Sequence, residues 1–450
     1  MENVSSPLPG ATPSWPAGRF GVLMSLARHP VVKTLALHTL VLVALYSAFY
    51  AFGVISYAPG NDNLMRWDAG IFNRLALNGY GKVDSYVNAY FPLFAYVWRF
   101  TGFSPVQITI FNVLCTYAGA ASLAHHFRLT GRQLLLILST PMMMFVLVPY
   151  AEGMFFLFGA LLLSGLHRHK LLLTVVGLLG CCLTRSASTL FVPAYLFAEL
   201  LWWTTAAATP RMLRNVGLGL LAMGLALGTV MLIQYQTHGD PLAFYNVHVV
   251  WAHWLRLPAL PLVSTAGINV LWQDAFGLLL AVLATGLCFL LGLRWLAGWL
   301  RPAGEQDAPP SKAVVFSLGY CVGAGFFIVF YQGGDLVGIA RYILATPCFG
   351  VLLWQFWQLS RPVAVRLLVA VVIIGLGIAL ALGIPFGFNS FTPGQAVWYF
   401  LLLLGYVVLH ALSGKRLNIW YPEASALLYI LNLVVLVYYH SLFLNIVWLN

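Results

Sequence analysis

Charged residues are scarce in this sequence. They make up only 8% of its 450 residues, whereas 61% are hydrophobic, and the mean hydropathy is +0.87. A chain with so few charges cannot cover itself with polar groups in water, so the composition excludes a soluble globular protein. Most stretches between charged clusters contain roughly 17–25 apolar residues, which is the length that crosses a hydrocarbon core.

The sequence also lacks basic runs, cysteines at paired metal-ligand spacing and internal repeats. Its 23 Lys and Arg give a net charge of +11 but are scattered in twos and threes, so nucleic acid is not an expected partner. The six cysteines lie mostly in apolar segments without metal-ligand spacing, which indicates small core residues instead of disulfides or a zinc site. The absence of repeats counts against carriers built from two related halves.

The apolar runs predict one all-α polytopic membrane domain over residues 1–450, with about thirteen transmembrane helices. The predicted spans lie near 34–56, 105–126, 133–149, 151–166, 171–184, 188–203, 215–235, 267–293, 313–331, 340–358, 365–384, 395–411 and 425–446. Two short apolar runs flank Thr184-Arg185-Ser186, which predicts a helix pair that shares a polar apex. Residues 301–310 are expected to form a short cytoplasmic linker.

The loops between these spans alternate in charge. Sixteen of the 23 basic residues fall in one set of loops, which the positive-inside rule assigns to the cytoplasm. These residues are Arg19, Arg28, Lys33, Arg128, Arg132, Arg168, Lys170, Arg211, Arg214, Arg294, Arg301, Lys312, Arg361, Arg366, Lys415 and Arg416. The pattern predicts a cytoplasmic N-terminal segment at 1–33, a first non-cytoplasmic loop at 57–104 and an outer C-terminus.

A short amphipathic helix is predicted within the first outer loop, at residues 66–80. Trp67, Ile71 and Leu75 recur at helical spacing, and Gly79 is a helix stop signal. The segment is too short and too polar to span, so we expect it to lie at the membrane surface. Asp68 falls in its first turn, where the helix dipole favours a carboxylate. Asp68 is therefore either an ordinary helix-capping residue or a site residue.

Two further polar breaks interrupt apolar runs on the predicted outer side. Glu152 follows Pro149 and Tyr150 at the end of one run. An acid at that depth is costly unless it is paired or faces water, so it is a candidate site residue, with stabilisation at a helix N-terminus as the alternative. Arg185 is a lone cation between two short apolar runs, with Ser188 nearby.

Later in the chain, Arg341 begins an apolar run just after Asp335. A cation at a helix start opposes the helix dipole, so Arg341 is expected to pair with an anion, either Asp335 or a ligand phosphate.

Three histidines lie between residues 238 and 256, among several aromatic residues. A metal site there is one alternative, but the spacing of five between His248 and His253 does not place both on one helix face. Interfacial packing is the other interpretation. We therefore expect no metal or other cofactor.

Taken together, these outer segments resemble the glycosylphosphatidylinositol mannosyltransferase 2 (PIG-V-like) family of integral membrane glycosyltransferases. The motifs that carry the resemblance are Arg66-Trp67-Asp68, Asn78-Gly79-Tyr80, Tyr90-Phe91-Pro92-Leu93, Pro141 with Tyr150-Ala151-Glu152, Thr184-Arg185-Ser186 and Arg341-Tyr342. Their order and rough spacing agree over residues 40–350. The compact loops and the lack of an ER-retrieval signal depart from eukaryotic members and suit a bacterial relative.

The resemblance implies a GT-C fold with its catalytic Asp in the first outer loop. It implies an inverting mannosyltransferase that takes its sugar from a polyprenyl or dolichyl phosphate and transfers it to a lipid or glycan acceptor. The site would then face the non-cytoplasmic side of a bacterial inner membrane, or of the ER membrane in a eukaryote. Sugar donor, acceptor and membrane lipids are the expected partners.

The residue chemistry fits such a transfer. Inverting displacement needs a base at the acceptor hydroxyl and cations at the leaving phosphate. We assign Asp68 as the base. Arg341, Arg185, Arg66 and His253 are the predicted donor-phosphate ligands. Glu152, Trp67, Tyr150 and Tyr90 are the predicted acceptor or sugar ligands, and Trp251 and Trp254 are further candidates for apolar walls.

Two other classes of protein stay open. In a carrier or flippase for a lipid-linked sugar, Glu152 and Arg185 would line a translocation path. The concentration of charge on one face, instead of at mid-membrane, argues against that class. A scaffold subunit would have no ligand-sized cavity beneath the first outer loop.

Overall fold

The computed structural model describes residues 29–81, 85–186, 190–203, 208–251, 253–264, 270–299, 309–383, 392–413, 418–447 and 449. Ser188 lies outside these residues, as do Arg19, Arg28, Arg301, Lys415 and Arg416 of the predicted cytoplasmic loops.

The described chain is helical, which confirms the all-α class. Its α-helices are α1 (Pro30–Ala51), α2 (Asp68–Asn78), α3 (Pro92–Thr101), α4 (Pro105–Phe127), α5 (Gly131–Leu138), α6 (Glu152–Arg168), α7 (Leu171–Thr184), α8 (Phe191–Leu201), α9 (Thr209–His238), α10 (Ala243–Asn246), α11 (Leu271–Trp299), α12 (Lys312–Phe326), α13 (Ile339–Leu344), α14 (Pro347–Gln358), α15 (Arg361–Gly383), α16 (Pro393–Leu412) and α17 (Tyr421–Leu444). Turns of 3₁₀ helix occupy Ser85–Ala89, Pro141–Leu147, Val247–Trp251 and Asn418–Trp420, and a π-helical turn, Phe327–Tyr331, continues α12.

Eight helices of the described chain are long and apolar enough to cross a membrane, or up to nine if a bent pair counts as one span. They are α1, α4, α9, α11, α12, α15, α16 and α17. This finding supports a multi-pass membrane protein. The other five predicted spans correspond to shorter or broken helices. For example, the stretch predicted at 133–149 forms α5 and a separate 3₁₀ turn, and 340–358 is divided between α13 and α14.

The break before α6 has a local cause. Pro141 starts the 3₁₀ turn, and the chain then bends by 113° into α6. The Asn112 side chain on α4 donates hydrogen bonds to the carbonyl oxygens of Val148 (3.0 Å) and Tyr150, so the bend is held from a neighbouring helix. A Cβ at Gly153 would overlap the Asn112 backbone, so only glycine allows α6 to start this close to α4.

Consecutive long helices run back and forth, which gives the bundle two ends. At one end, which we call the site end, lie the start of α2, the start of α6, the end of α7 and the start of α13. At the other, which we call the basic end, lie the end of α6, the end of α8 and the starts of α7, α9 and α12. α6, α7, α8 and α12 pack on one another between the two ends.

Candidate functional site

A cavity of about 910 Å³ opens at the site end, beneath the first predicted outer loop. Its walls come from α2, the Ser85–Ala89 turn, the end of α7, the 248–253 segment and the region 327–342. The lining residues are Trp67, Asp68, Ile71, Phe72, Arg74, Tyr86, Ala89, Tyr90, Phe91, Ala151, Thr184, Arg185, Ser186, His248, His253, Phe327, Gln332, Asp335, Val337, Arg341 and Tyr342.

Asp68 is the first residue of α2, as predicted, and Gly79 ends that helix with a φ of +72°. The preceding Trp67 has a φ of +51°, a conformation that is strained for a residue with a side chain and that occurs at functional sites. The Asp68 carboxylate accepts a hydrogen bond of 2.6 Å from the Tyr90 hydroxyl and one of 2.8 Å from Arg341 Nη1. The carboxylate is therefore oriented by two hydrogen bonds, and the Asp68 side chain still lines the cavity.

Glu152 is the first residue of α6 and is only 1% exposed. Its Oε1 accepts hydrogen bonds from Arg185 Nη1 (2.6 Å) and from Arg341 Nε. The helix N-terminus favours the carboxylate as well, so both of the explanations considered for this acid operate together. A buried carboxylate between two guanidinium groups is compensated in charge, as a polar group at this depth requires.

Arg341 joins the two carboxylates. It lies in α13, and its buried guanidinium is 4.7 Å from the ring centroids of both Phe145 and Tyr150. The ion-pair partners that the structure shows for Arg341 are Asp68 and Glu152, two acids that the sequence did not pair with it. Its role as a donor-phosphate ligand stays a prediction. Tertiary packing brings these two acids to Arg341 from distant parts of the chain.

The start of α13 is itself fixed by a buried acid. Asp274, on α11, accepts a hydrogen bond of 3.2 Å from the Ala340 backbone N–H and one of 2.7 Å from the Ser264 hydroxyl. The Tyr320 hydroxyl donates to the Tyr342 carbonyl at 2.9 Å. Two neighbouring helices therefore determine where Arg341 lies.

Arg185 lies at the end of α7, at the polar break that the sequence indicated. Its guanidinium is 4.8 Å from the ring centroid of Tyr342 and 5.5 Å from that of Phe155. The side chain is 10% exposed and lines the cavity, so it reaches both the buried Glu152 and the open space.

His253 lines the cavity with His248, and their rings stack with centroids 6.1 Å apart. They meet even though a spacing of five does not align them on one helix, because the 3₁₀ turn ends between them. Residues 256–263, which follow the turn, lie along residues 330–336. Backbone hydrogen bonds join the two segments; for example, the Ala259 N–H donates to the Gly333 carbonyl at 3.0 Å. A side chain at Gly333, whose φ is +65°, would overlap the Arg256 guanidinium.

Burial sets the protonation of several groups around the cavity. It raises the pKa of Tyr90 well above its usual value, and the neighbouring Asp68 charge raises it further. Tyr90 therefore stays protonated and donates a hydrogen bond to that carboxylate. Burial lowers the pKa of His248 to about 4, with a smaller contribution from His253, and it lowers the pKa of His253 too. Both histidines are neutral at pH 7. Within the described residues, no group of three or more His, Cys, Asp or Glu side chains is arranged to hold a metal ion.

The remaining predicted ligands are distributed unevenly. Trp67 and Tyr90 form walls of the cavity, whereas Tyr150 is buried beneath it against Arg341. Arg66 is not among the described residues that line the cavity. Trp254 is an exposed residue that stacks with Arg256, and the side chain of Trp251 lies outside the described part of the chain.

Arg74 is a cavity residue that our sequence analysis did not single out. It lies on α2 and folds back over Gly70, where a Cβ would be 3.7 Å from Arg74 Nη1. Asp68, Ile71 and Arg74 follow one another at a spacing of three, which puts them on one helix face. This spacing is the sequence signal from which Arg74 could have been predicted.

The comparisons with known proteins add no assignment. A scan of protein-family models, a search of curated proteins and a search of solved structures each return no match to this chain.

Proposed function

We propose that this protein is an inverting glycosyltransferase of the GT-C type. It moves a sugar from a polyprenyl or dolichyl phosphate to a lipid or glycan acceptor on the non-cytoplasmic face. The observation that carries the proposal is the Asp68 carboxylate, which is oriented by Tyr90 and Arg341 at the wall of a 910 Å³ cavity. The resemblance to the PIG-V-like family names mannose as the sugar.

In the proposed reaction, Asp68 removes the proton from the acceptor hydroxyl. The acceptor oxygen forms a bond to the anomeric carbon, and the bond from that carbon to the phosphate oxygen breaks. The electron pair leaves with the polyprenyl phosphate, which changes from a singly charged diester to a doubly charged monoester. The transition state therefore needs a fixed base on one side and a gain of positive potential on the other.

The charges around the cavity provide this gain of positive potential. Arg74, Arg185 and Arg341 line it with Asp68 and Asp335, and Glu152 lies beneath, so the formal charges of these groups cancel. When Asp68 accepts a proton, its negative charge disappears and the guanidinium of Arg341 loses one of its two anionic partners. The cavity then has a net positive charge at the moment when the phosphate becomes more negative. Arg341 thus serves both the base and the leaving group.

Five further residues in or beneath the cavity have a place in this scheme. Arg185 and Arg74 face the donor phosphate, and the guanidinium fork suits phosphate oxygens. His253 is neutral and acts as a hydrogen-bond donor to the phosphate or sugar. Glu152 keeps Arg185 and Arg341 at a fixed separation, and Trp67 provides an apolar wall for a sugar face.

The test is a transfer assay with purified protein in liposomes that contain radiolabelled polyprenyl-phosphate mannose and a lipid extract as acceptor. We expect a glycosylated lipid product from the wild-type protein and a rate about 100-fold or more lower from Asp68→Asn, since loss of a general base costs about that much. Asn retains the size of Asp and can still accept from Tyr90. Asp62→Asn is the matched control, because Asp62 is an exposed acid of the same loop outside the cavity.

A D68N protein that binds donor and transfers sugar at the wild-type rate would rule out the base assignment. Failure to form product with any polyprenyl-phosphate sugar, combined with movement of the lipid-linked sugar across the bilayer, would favour the carrier class.

A further inference from the structure

A second cavity, of about 390 Å³, lies at the basic end of the bundle. It is enclosed by the turn between α6 and α7, the end of α8, and the starts of α9 and α12. Because its walls come from the helix ends opposite to Asp68 and Arg341, it is separate from the site cavity. Nothing in the proposed transfer uses it.

One charged pair at this cavity is already complete. Lys312 Nζ lies 2.6 Å from Glu199 Oε2, and both side chains are buried. Asn215 Nδ2 also approaches Glu199 Oε2, at 3.4 Å, and Lys312 Nζ lies 5.9 Å from the ring centroid of Trp202. The acid and the base neutralise each other, so this pair leaves no net charge at the cavity.

Two exposed arginines of the same cavity, Arg211 and Arg214, are not neutralised in this way. They lie in the first turns of α9, and among the described residues neither has an ion-pair partner. A cation at a helix N-terminus opposes the helix dipole, so local helix stability does not account for them. The helix end and both guanidinium groups instead favour an anion in the adjoining space.

We propose that this cavity binds the phosphate group of an anionic ligand at the face of the bundle opposite Asp68. Guanidinium groups bind phosphate oxygens with matched geometry, and the apolar Leu171 and Met212 border the same space. This chemistry fits the headgroup of an anionic phospholipid, in which a phosphate is attached to an apolar body. Free phosphate has the same charged group without that body. The proposal does not depend on the reaction at the site end.

The experiment measures lipid binding to the purified full-length protein by native mass spectrometry. Detergent-solubilised protein is mixed with phosphatidylglycerol or with phosphatidylcholine, and Arg211→Gln/Arg214→Gln is compared with Arg128→Gln/Arg132→Gln. The control pair consists of exposed arginines at the same end that do not line the cavity. We expect the wild type and the control to retain phosphatidylglycerol, and the R211Q/R214Q occupancy to fall about tenfold or more. Equal binding by R211Q/R214Q and the control would overturn the proposal.

A second arm distinguishes the two sources of phosphate. The arginine reagent phenylglyoxal is applied with phosphatidylglycerol or with millimolar inorganic phosphate, and modification of Arg211 and Arg214 is read by peptide mass spectrometry. Protection by the lipid alone identifies a headgroup site, whereas equal protection by inorganic phosphate identifies a site for the phosphate group itself. Protection by neither would overturn the proposal, and the folded state of each variant is checked by its thermal unfolding temperature.

Discussion

Two clusters of buried charge lie at opposite ends of the helix bundle, and they are built differently. At the site end, Arg341 bonds both Asp68 and Glu152, and Glu152 also bonds Arg185. At the basic end, Lys312 and Glu199 form a single pair. The four site-end side chains come from four separate elements. Each one is therefore oriented by at least one oppositely charged group from another element.

The difference separates two uses of buried charge. A single buried ion pair holds two helices together, and apolar residues of similar volume can often do the same without loss of stability. A branched cluster fixes the orientation of several groups at once, which is the preorganisation that a reactive site needs. The site-end cluster is therefore where substitutions should cost most, and the basic-end pair is where they can be compensated.

The largest expected effect is the loss of stability in Arg341→Met. Two carboxylates would lose a partner, and breaking such a buried pair costs about 3–5 kcal/mol. Unfolding in mixed micelles, followed by circular dichroism, measures the change in the free energy of unfolding. Arg132→Met, at an exposed position of the basic end, is the control and should lie within about 0.5 kcal/mol of the wild type. An R341M protein as stable as the control would show that the cluster does not compensate buried charge.

Arg341→Lys tests the geometry of the cluster instead of its charge. Lysine keeps the positive charge but lacks the planar fork that reaches Asp68 and Glu152 together. We expect kcat/KM for the polyprenyl-phosphate sugar to fall about 10–100-fold, the value of one charge-assisted hydrogen bond of roughly 1.5–3 kcal/mol. Steady-state kinetics with varied donor and fixed acceptor measure this effect. Lys312→Arg, a change of the same kind at the basic end, should leave kcat/KM unaltered; an equal loss there would contradict a role specific to the site.

The sequence predicts those features of the cluster that depend on local residue patterns, and it does not predict those that depend on helix packing. Hydropathy and loop charge are local properties, and they predicted the eight long apolar helices. They also placed Asp68 on a surface helix of the first outer loop, marked Glu152 as a costly acid and singled out Arg185 and Arg341 as cations beside apolar runs. The pairing of Arg341 with Asp68, 273 residues away, depends on how the helices pack, which no local pattern contains.

The segment 133–149 shows where hydropathy predicts a membrane span that the structure does not have. Its apolar composition meets the requirement for a membrane span, so hydropathy alone counted it as one. Pro141 and the hydrogen bonds from Asn112 instead divide it into α5 and a 3₁₀ turn that leads into α6. The proline is visible in the sequence, whereas the partner helix that stabilises the break is not. Packing also decides that Arg66 does not line the cavity in the described chain. Arg74 was overlooked although its spacing from Asp68 and Ile71 puts the three residues on one helix face.

Acid should loosen the turn Val247–Trp251, which carries His248. The pKa of His248 is lowered to about 4 by burial, and its ring faces His253 and Tyr331. Because the folded state holds this proton more weakly than the unfolded state does, the stability due to neutral His248 is present above pH 6.5 and is lost as the pH falls towards 4. At pH 5 the loss is about 2 kcal/mol at most, because part of the ring is near solvent.

Hydrogen exchange at pH 7 and pH 5, corrected for intrinsic rates, measures this loss. We expect protection at 243–251 to fall at the lower pH while protection at 92–101, a helix that contains no histidine, changes little. His248→Gln should abolish the pH response of the first segment. A response that persists in H248Q, or that is equal in the two segments, would assign it to another group.

The smallest expected effect is that of replacing the whole basic-end pair. Lys312→Met alone leaves Glu199 buried with the amide of Asn215, and should cost about 3 kcal/mol, whereas Glu199→Gln/Lys312→Met should lie within about 1 kcal/mol of the wild type. With Glu199→Gln as the second single variant, the wild type and these three variants form a double-mutant cycle, read by unfolding in mixed micelles. The doubly substituted protein should also retain phosphatidylglycerol, because the net charge from Arg211 and Arg214 is unchanged. If the double variant is as unstable as K312M, the pair has a role beyond mutual neutralisation, and the two ends are more alike in construction than their contacts indicate.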